Sequence, residues 1–167
     1  MLAHNFNILC WNVRGLNCPD RRSTVNATIA SSSCHVVCLQ ETKLDAADPF
    51  LVAFLGGQQP KSFAERPADG TRGGILLLWN KDFIKVDNIS MGTFSISASI
   101  TIISTLVTFK LTSVYGPTRS NLKDAFFQEL VSLKPQQGTR WLVTGDFNQI
   151  YRARDKDRTN VDRSRLV

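Results

Sequence analysis

Histidine is nearly absent: the 167 residues contain only His4 and His35. Chemistry built on several imidazoles has little to draw on. His35, beside Cys34, stands at the lip of an apolar stretch and reads as packing, not as a metal ligand. Cysteine is also sparse. Cys10, Cys18, Cys34 and Cys38 match neither a zinc-ribbon spacing nor a Cys-x-x-Cys redox motif. Three of them lie in or beside apolar runs, so buried free thiols of a reducing compartment are expected instead of disulfides. No apolar run is long and unbroken enough for a membrane span. The longest apolar region, SISASITIISTLVTFKLTSVY, is interrupted by Ser, Thr and Lys110 at nearly alternate positions, which is a pattern of strands. The start, MLAHNFNILCWN, has no basic stretch followed by an apolar core, so no secretory signal is expected. Internal repeats and low-complexity tracts are missing too.

What is present is an ordinary globular mixture, 43% hydrophobic and 20% charged, in a length that suits one domain with a substantial core. The net charge is +6, unevenly spread. Arg152, Arg154, Lys156, Arg158, Arg163 and Arg165 stand against Asp155, Asp157 and Asp162, so half the excess lies in one short terminal stretch. A basic balance favours a phosphate-rich partner through counterion release, although most charge runs are simply solvated. The chain divides into a domain over 1–151 and a basic end of the same domain over 152–167.

Alternation in NFNILCWNV predicts a half-buried first strand ending near Asn12. Pro19 and Asp20 announce a helix over Arg21 to Ser32. HVVCLQE is a continuous apolar run with a polar tip, as a buried strand would be. DAADPFLVAFLGG predicts a short helix closed by glycines, and KSFAERPADGTRGG a loop. GGILLLWN, FIKVDNIS, FSISASITI and STLVTFKLTSVYGP predict consecutive strands. SNLKDAFFQELVSL carries Leu122, Phe126, Leu130 and Leu133 at helical spacing, a core-facing stripe capped by Ser120 or Asn121. RWLVTGD is the last strand. Strands outnumber helices and interleave with them, which predicts a mixed α/β domain built on antiparallel pairs.

Four strands end in groups suited to phosphate chemistry: Asn12, Glu41, Tyr115, and the pair Asp146 and Asn148. Asn and Glu offer hard oxygens of the kind Mg²⁺ prefers, with water filling the remaining positions. A nearby carboxylate can orient an attacking water or take its proton. An amide and a phenol can donate to the oxygens of a pentacovalent phosphorus. Residues two apart on an extended backbone point the same way, so Asp146 and Asn148 are expected to face one phosphate while Phe147 packs inward. Each residue also has a structural explanation. Asn12 and Asn148 suit turns, Glu41 a solvent-facing end paired with Lys43, and Tyr115 a corner before Gly116 and Pro117.

In this order the segments CWNVRGL, HVVCLQETK, GTRGGILLLWN, SVYGP and TGDFN resemble the endonuclease/exonuclease/phosphatase superfamily. Within it they look most like the apurinic-type endonuclease domain of plant LINE (non-LTR) retrotransposons, with RGGILLLWN and NQIYRARDK similar to that branch in particular. The resemblance runs from Asn7 to about Asp162. It implies a DNase I-like α/β sandwich of two sheets, a metal held by Asn12 and Glu41, and catalysis by Tyr115, Asp146 and Asn148. It further implies substrate contacts from Arg14, Lys43, Arg72 and Arg119. The cofactor would be Mg²⁺, with Mn²⁺ as a substitute. The partner would be DNA, nicked to leave a 3′-hydroxyl that primes reverse transcription, with the reverse transcriptase a separate or lost segment. That substrate implies an intracellular, nuclear more than cytoplasmic, setting.

The family pattern continues past TGDFN to a late aspartate and a histidine motif, and neither His4 nor His35 lies in such a context. The expectation is therefore a truncated domain with an incomplete second sheet, destabilised or dependent on a partner, and weak or inactive as a nuclease. A non-catalytic nucleic-acid-binding remnant, or a phosphatase or phosphodiesterase of the same superfamily, are the alternatives.

Overall fold

Val36 to Gln40 are buried along their whole length, as a continuous apolar run requires when both faces of a strand are covered. The structure, a computed structural model, describes residues 6–57 and 61–149. Its elements are β1 (Ile8–Asn12), α1 (Pro19–Ser32), β2 (Val36–Gln40), α2 (Pro49–Gly56), β3 (Lys61–Asp69), β4 (Arg72–Asn80), β5 (Ile84–Met91), β6 (Ser95–Ile102), β7 (Val107–Tyr115), a 3-10 turn (Ser120–Leu122), α3 (Lys123–Ser132) and β8 (Trp141–Asp146).

Two four-stranded sheets form, in the orders β1-β2-β4-β3 and β5-β6-β7-β8. The pairs β1–β2 and β7–β8 are parallel and the others antiparallel. Each parallel pair is joined through a helix, α1 or α3, as a parallel connection requires. The sheets stack face to face with β1 against β8 and β4 against β7. The two-sheet α/β sandwich that the family resemblance implies is the observed architecture.

Alternation along β4 explains its apolar run. Leu76 and Leu78 join Val25, Ile29, Leu51 and Leu55 in a layer under α1 and α2. Ile75, Leu77 and Trp79 join Ile84, Ile96, Ile100 and Leu111 between the sheets. A third cluster, Phe94, Val114 and Phe126, sits under α3.

Several expectations are corrected. KSFAERPADGTRGG is not a loop: β3 pairs with β4 from Lys61↔Asn80 to Asp69↔Arg72. Pro67 is tolerated because β3 is an edge strand, where a missing N–H costs no ladder bond. Gly73 and Gly74, at φ +75° and +88°, lie inside β4. A Cβ on Gly74 would collide with the Thr42 hydroxyl, so glycine there serves close backbone approach. The α3 stripe is only partly core: Phe126 is fully buried, but Leu122 is 38% exposed. Leu122 is the helix N-cap and no side chain caps it, because the chain enters through the 3-10 turn. All four cysteines are free, but only Cys34 and Cys38 are buried; Cys10 and Cys18 are exposed. Cys10 lies on β1, which has no strand on its outer side among the described residues. No helix among the described residues is long and apolar enough to cross a membrane.

Candidate active site

Beyond β1 and β2 the main chain keeps pairing past the strands proper. Val13, Gly15 and Leu16 N–H groups donate to the Gln40, Glu41 and Thr42 carbonyls at 2.7–2.9 Å. Thr42 and Lys43 N–H groups donate to Gly74 and Gly73 carbonyls at 3.2 and 3.0 Å. The QETK segment is thus clamped between two neighbours. Gln40 is buried and donates to Ser113 Oγ at 3.2 Å, tying this end of β2 to the opposite sheet. Arg14, Glu41, Lys43 and Asn148 all take left-handed backbone, with φ between 51° and 56°. Such strain in non-glycine residues persists only where the surroundings fix it, and it gathers at functional sites.

The two sheets meet chemically at the same end. Asn12 Nδ2 donates to Asp146 Oδ2 at 2.7 Å, and the Arg14 N–H donates to Asn12 Oδ1 at 3.1 Å. The other Asp146 oxygen, Oδ1, accepts from the Asn148 N–H at 2.9 Å. Asn148 Nδ2 donates to the Gly116 carbonyl at 2.8 Å, and the Gly116 N–H donates to the Asp146 carbonyl at 2.7 Å. Tyr115 lies in register with Asp146. Its phenol is pushed above the usual tyrosine range, first by burial and then by the Glu41 and Asp146 carboxylates, with a hydrogen bond to Glu41 in the same direction and one to Asn148 opposing. Asn12, Glu41, Tyr115, Asp146 and Asn148 therefore converge.

They do not all converge as expected. Asn148 is left-handed, so it meets Asp146 through a tight Asx-type turn and not through strand alternation. Phe147 is not packed away: it is 37% exposed, its ring edge-on to Phe126 at 6.1 Å. Lys43 does pair with Glu41, at 3.2 Å, as the structural explanation had it, while the same carboxylate faces Tyr115.

The four expected substrate contacts fall into two grooves. Arg14 and Lys43 line one of about 500 Å³ with Asn17, Asp20, Arg21 and Thr24. Arg72 and Arg119 line another of about 220 Å³ with Arg66, Asp69, Thr93 and Tyr115. Arg21 and Arg66 are cations that sequence reading passed over. Arg66 was hidden by the loop assignment, since only a strand register brings it level with Ile75. Gln40 had a signal, a polar residue closing an apolar run.

His35 is far from this end. It precedes β2 while Glu41 follows it, a span of about 20 Å at the rise of an extended strand. Its Nδ1 accepts from the Asn7 N–H at 3.2 Å and its ring lies against Phe6 and Phe83. The packing role expected for it is the observed one. His4 and the basic stretch 152–167 lie outside the described residues.

The donor set fits a hard divalent cation. Glu41 and Asp146 both act on one phenol, and the Asn12 amide oxygen, already accepting one hydrogen bond, keeps a second lone pair. Among the described residues no three His, Cys, Asp or Glu side chains group tightly enough to hold a metal by themselves. A cation here would thus complete its shell with water or substrate oxygens, as Mg²⁺ does.

Solved structures share this fold. An AP endonuclease from Leishmania major, LMAP, superposes with a TM-score of 0.66 at 17% identity, covering 93% of this chain and 59% of its own. TDP2 of D. rerio, complexed with a single-strand DNA product, gives 0.66 at 21%, covering 87% and 61%. The human Nocturnin catalytic domain with bound sulfate gives 0.62 at 16%, covering 86% and 64%. The chain therefore spans about three fifths of the length of these proteins, and at such identities the likeness is one of fold. Among curated protein sequences there is no significant match. Residues 9–166 match the family model described as Endonuclease/Exonuclease/phosphatase family, and with the sandwich and its strand-tip site in place the chain belongs to that family.

Proposed function

We propose that the chain is a metal-dependent phosphodiesterase acting on DNA, the nicking endonuclease domain of a LINE-like retroelement. The observation that carries the reading is the hydrogen-bonded convergence of Asn12, Asp146 and Asn148 beside Tyr115 and Glu41. Asp146 holds two donors, one on each oxygen, so its orientation is fixed while lone pairs remain to orient a water and accept its proton. Tyr115 stays protonated through the neutral range, its hydroxyl bonded to Glu41 and receiving the Asn148 amide, and an incoming phosphoryl oxygen would take over these two donors. Asn12 and Glu41 would hold Mg²⁺, or Mn²⁺ in its place, and when bound the cation would polarise the phosphoryl oxygen. Arg14 and Lys43 in one groove, and Arg72 and Arg119 in the other, would hold backbone phosphates.

DNA as substrate is supported by the net positive charge and by fold neighbours that are AP endonucleases or carry a DNA product. The retroelement origin rests on RGGILLLWN, which is β4 through Asn80, and on NQIYRARDK. A substrate panel tests the reading. Supercoiled plasmid and an oligonucleotide with one abasic site should be nicked in Mg²⁺, and inositol phosphates left untouched. Release of inorganic phosphate from the small substrates without nicking would replace it with the phosphatase reading.

The net charge of +6 also suits a second reading, a module that binds nucleic acid without cleaving it. A salt-dependent gel shift with intact DNA throughout would be its signature.

A further inference from the structure

The turn that joins β5 to β6 belongs to no part of the site as read from the sequence, yet it touches the site twice. The Tyr115 N–H donates to the Phe94 carbonyl at 2.9 Å. Arg66 Nε donates to the Gly92 carbonyl at 3.1 Å. The turn itself is closed by the Gly92 N–H on the Ser95 carbonyl at 2.9 Å. One carboxylate from another element fastens it. Glu129 of α3 accepts from the Thr93 N–H at 2.8 Å, from the Phe94 N–H at 3.1 Å and from the Ser95 hydroxyl at 2.6 Å.

The contact is built closely. A Cβ on Gly92 would run into the Glu129 carboxylate, so glycine is what lets the helix approach. Phe126, three residues earlier on α3 and hence on the same helix face, packs edge-on against Phe94 at 5.6 Å. The turn is held from α3 by one charged and one aromatic anchor. Charged hydrogen bonds of this kind are shorter and stronger than neutral ones.

We propose that Glu129 is a positioning residue. By fastening the 92–95 turn it sets the place of Tyr115 at the strand tip and of Arg66 in the adjoining groove, although it stands on a helix and touches no substrate. The catalytic part of this inference rests on the nuclease reading above; the positional part does not. Glu129→Gln keeps the shape but turns one acceptor into a donor facing N–H groups, so the clamp fails while the helix remains.

The chain has two tyrosines, Tyr115 and Tyr151, which makes fluorotyrosine labelling simple to assign with Tyr115→Phe. In ¹⁹F NMR of the folded Glu129→Gln protein the Tyr115 signal should move or broaden. Ser95→Ala, which removes one of the bonds, should give a smaller change and serves if Glu129→Gln does not fold. Val25→Ala, in the distant layer under α1 and α2, supplies a comparable loss of stability and should leave Tyr115 in place. In plasmid nicking, kcat should drop about tenfold to a hundredfold with KM changed less than about threefold, as misplacement of a reacting group by an ångström does. An unmoved Tyr115 signal in a folded clamp variant, or an equal shift in Val25→Ala, overturns the proposal. A moved or broadened Tyr115 signal in Glu129→Gln, with no nicking even by the wild type, would uphold the positioning and discard the nuclease reading.

Discussion

Asp146 shows how much one side chain can bind together. It links β1 to β8 through Asn12 across 134 residues of sequence and fixes the Asn148 turn. Asp146→Ala should lower nicking by at least about a hundredfold, the scale of a lost proton acceptor, measured as the initial rate on supercoiled plasmid. Tyr115 carries a pH prediction. Burial and two carboxylates raise its folded-state pKa, so the phenol's contribution to stability is complete below the ordinary value of about 10 and is lost as pH rises through the folded value. Denaturant midpoints above pH 10 should therefore fall faster for the wild type than for Tyr115→Phe, and parallel curves would contradict it. The thiols separate in the same manner. Burial pushes Cys38 up to about 12 and Cys34 is also buried, whereas Cys10 and Cys18 are exposed. A thiol reagent at pH 8 should label two cysteines in the native protein and all four after denaturation.

At the scale of elements, the buried strands were legible in the sequence and the edges were not. β2 and β4 are covered on both faces, so their apolar runs are unbroken and speak for themselves. β3 is an edge strand carrying Glu65, Arg66 and Pro67, and its polar composition imitates a loop because only one neighbour demands anything of it. The five strand-tip residues were legible because they follow apolar runs with polar groups. Their convergence was not, since it depends on left-handed turns at Glu41 and Asn148 and on pairings that no local pattern encodes. The clamp by Glu129 was invisible for the same reason: on α3 it reads as an ordinary solvent-facing charge. Phe126 anchors that helix, fully buried against Phe94 and Phe127. Phe126→Ala should cost about 3–5 kcal/mol in equilibrium unfolding, and a loss below about 1 kcal/mol would mean that α3 is not held as described.

For the whole molecule, the sandwich brings the tips of β1, β2, β7 and β8 to one end and leaves the opposite end of β2 to an aromatic packing of His35. Fold class follows from patterning that any sandwich of this kind must show; substrate follows from the site and its surrounding charge. Six cations, Arg14, Arg21, Lys43, Arg66, Arg72 and Arg119, line the two grooves, so log affinity for duplex DNA should fall against log salt with a slope of roughly −5 if each meets a phosphate. A slope near zero would remove the phosphate track from the account. The most direct test is nicking of supercoiled plasmid by the purified chain in Mg²⁺, beside Asp146→Ala and an EDTA control. The account predicts open-circle product from the wild type alone, abolished by the chelator and reduced at least about a hundredfold by the substitution. Intact plasmid from a folded wild-type sample, or nicking unchanged by Asp146→Ala, would contradict it.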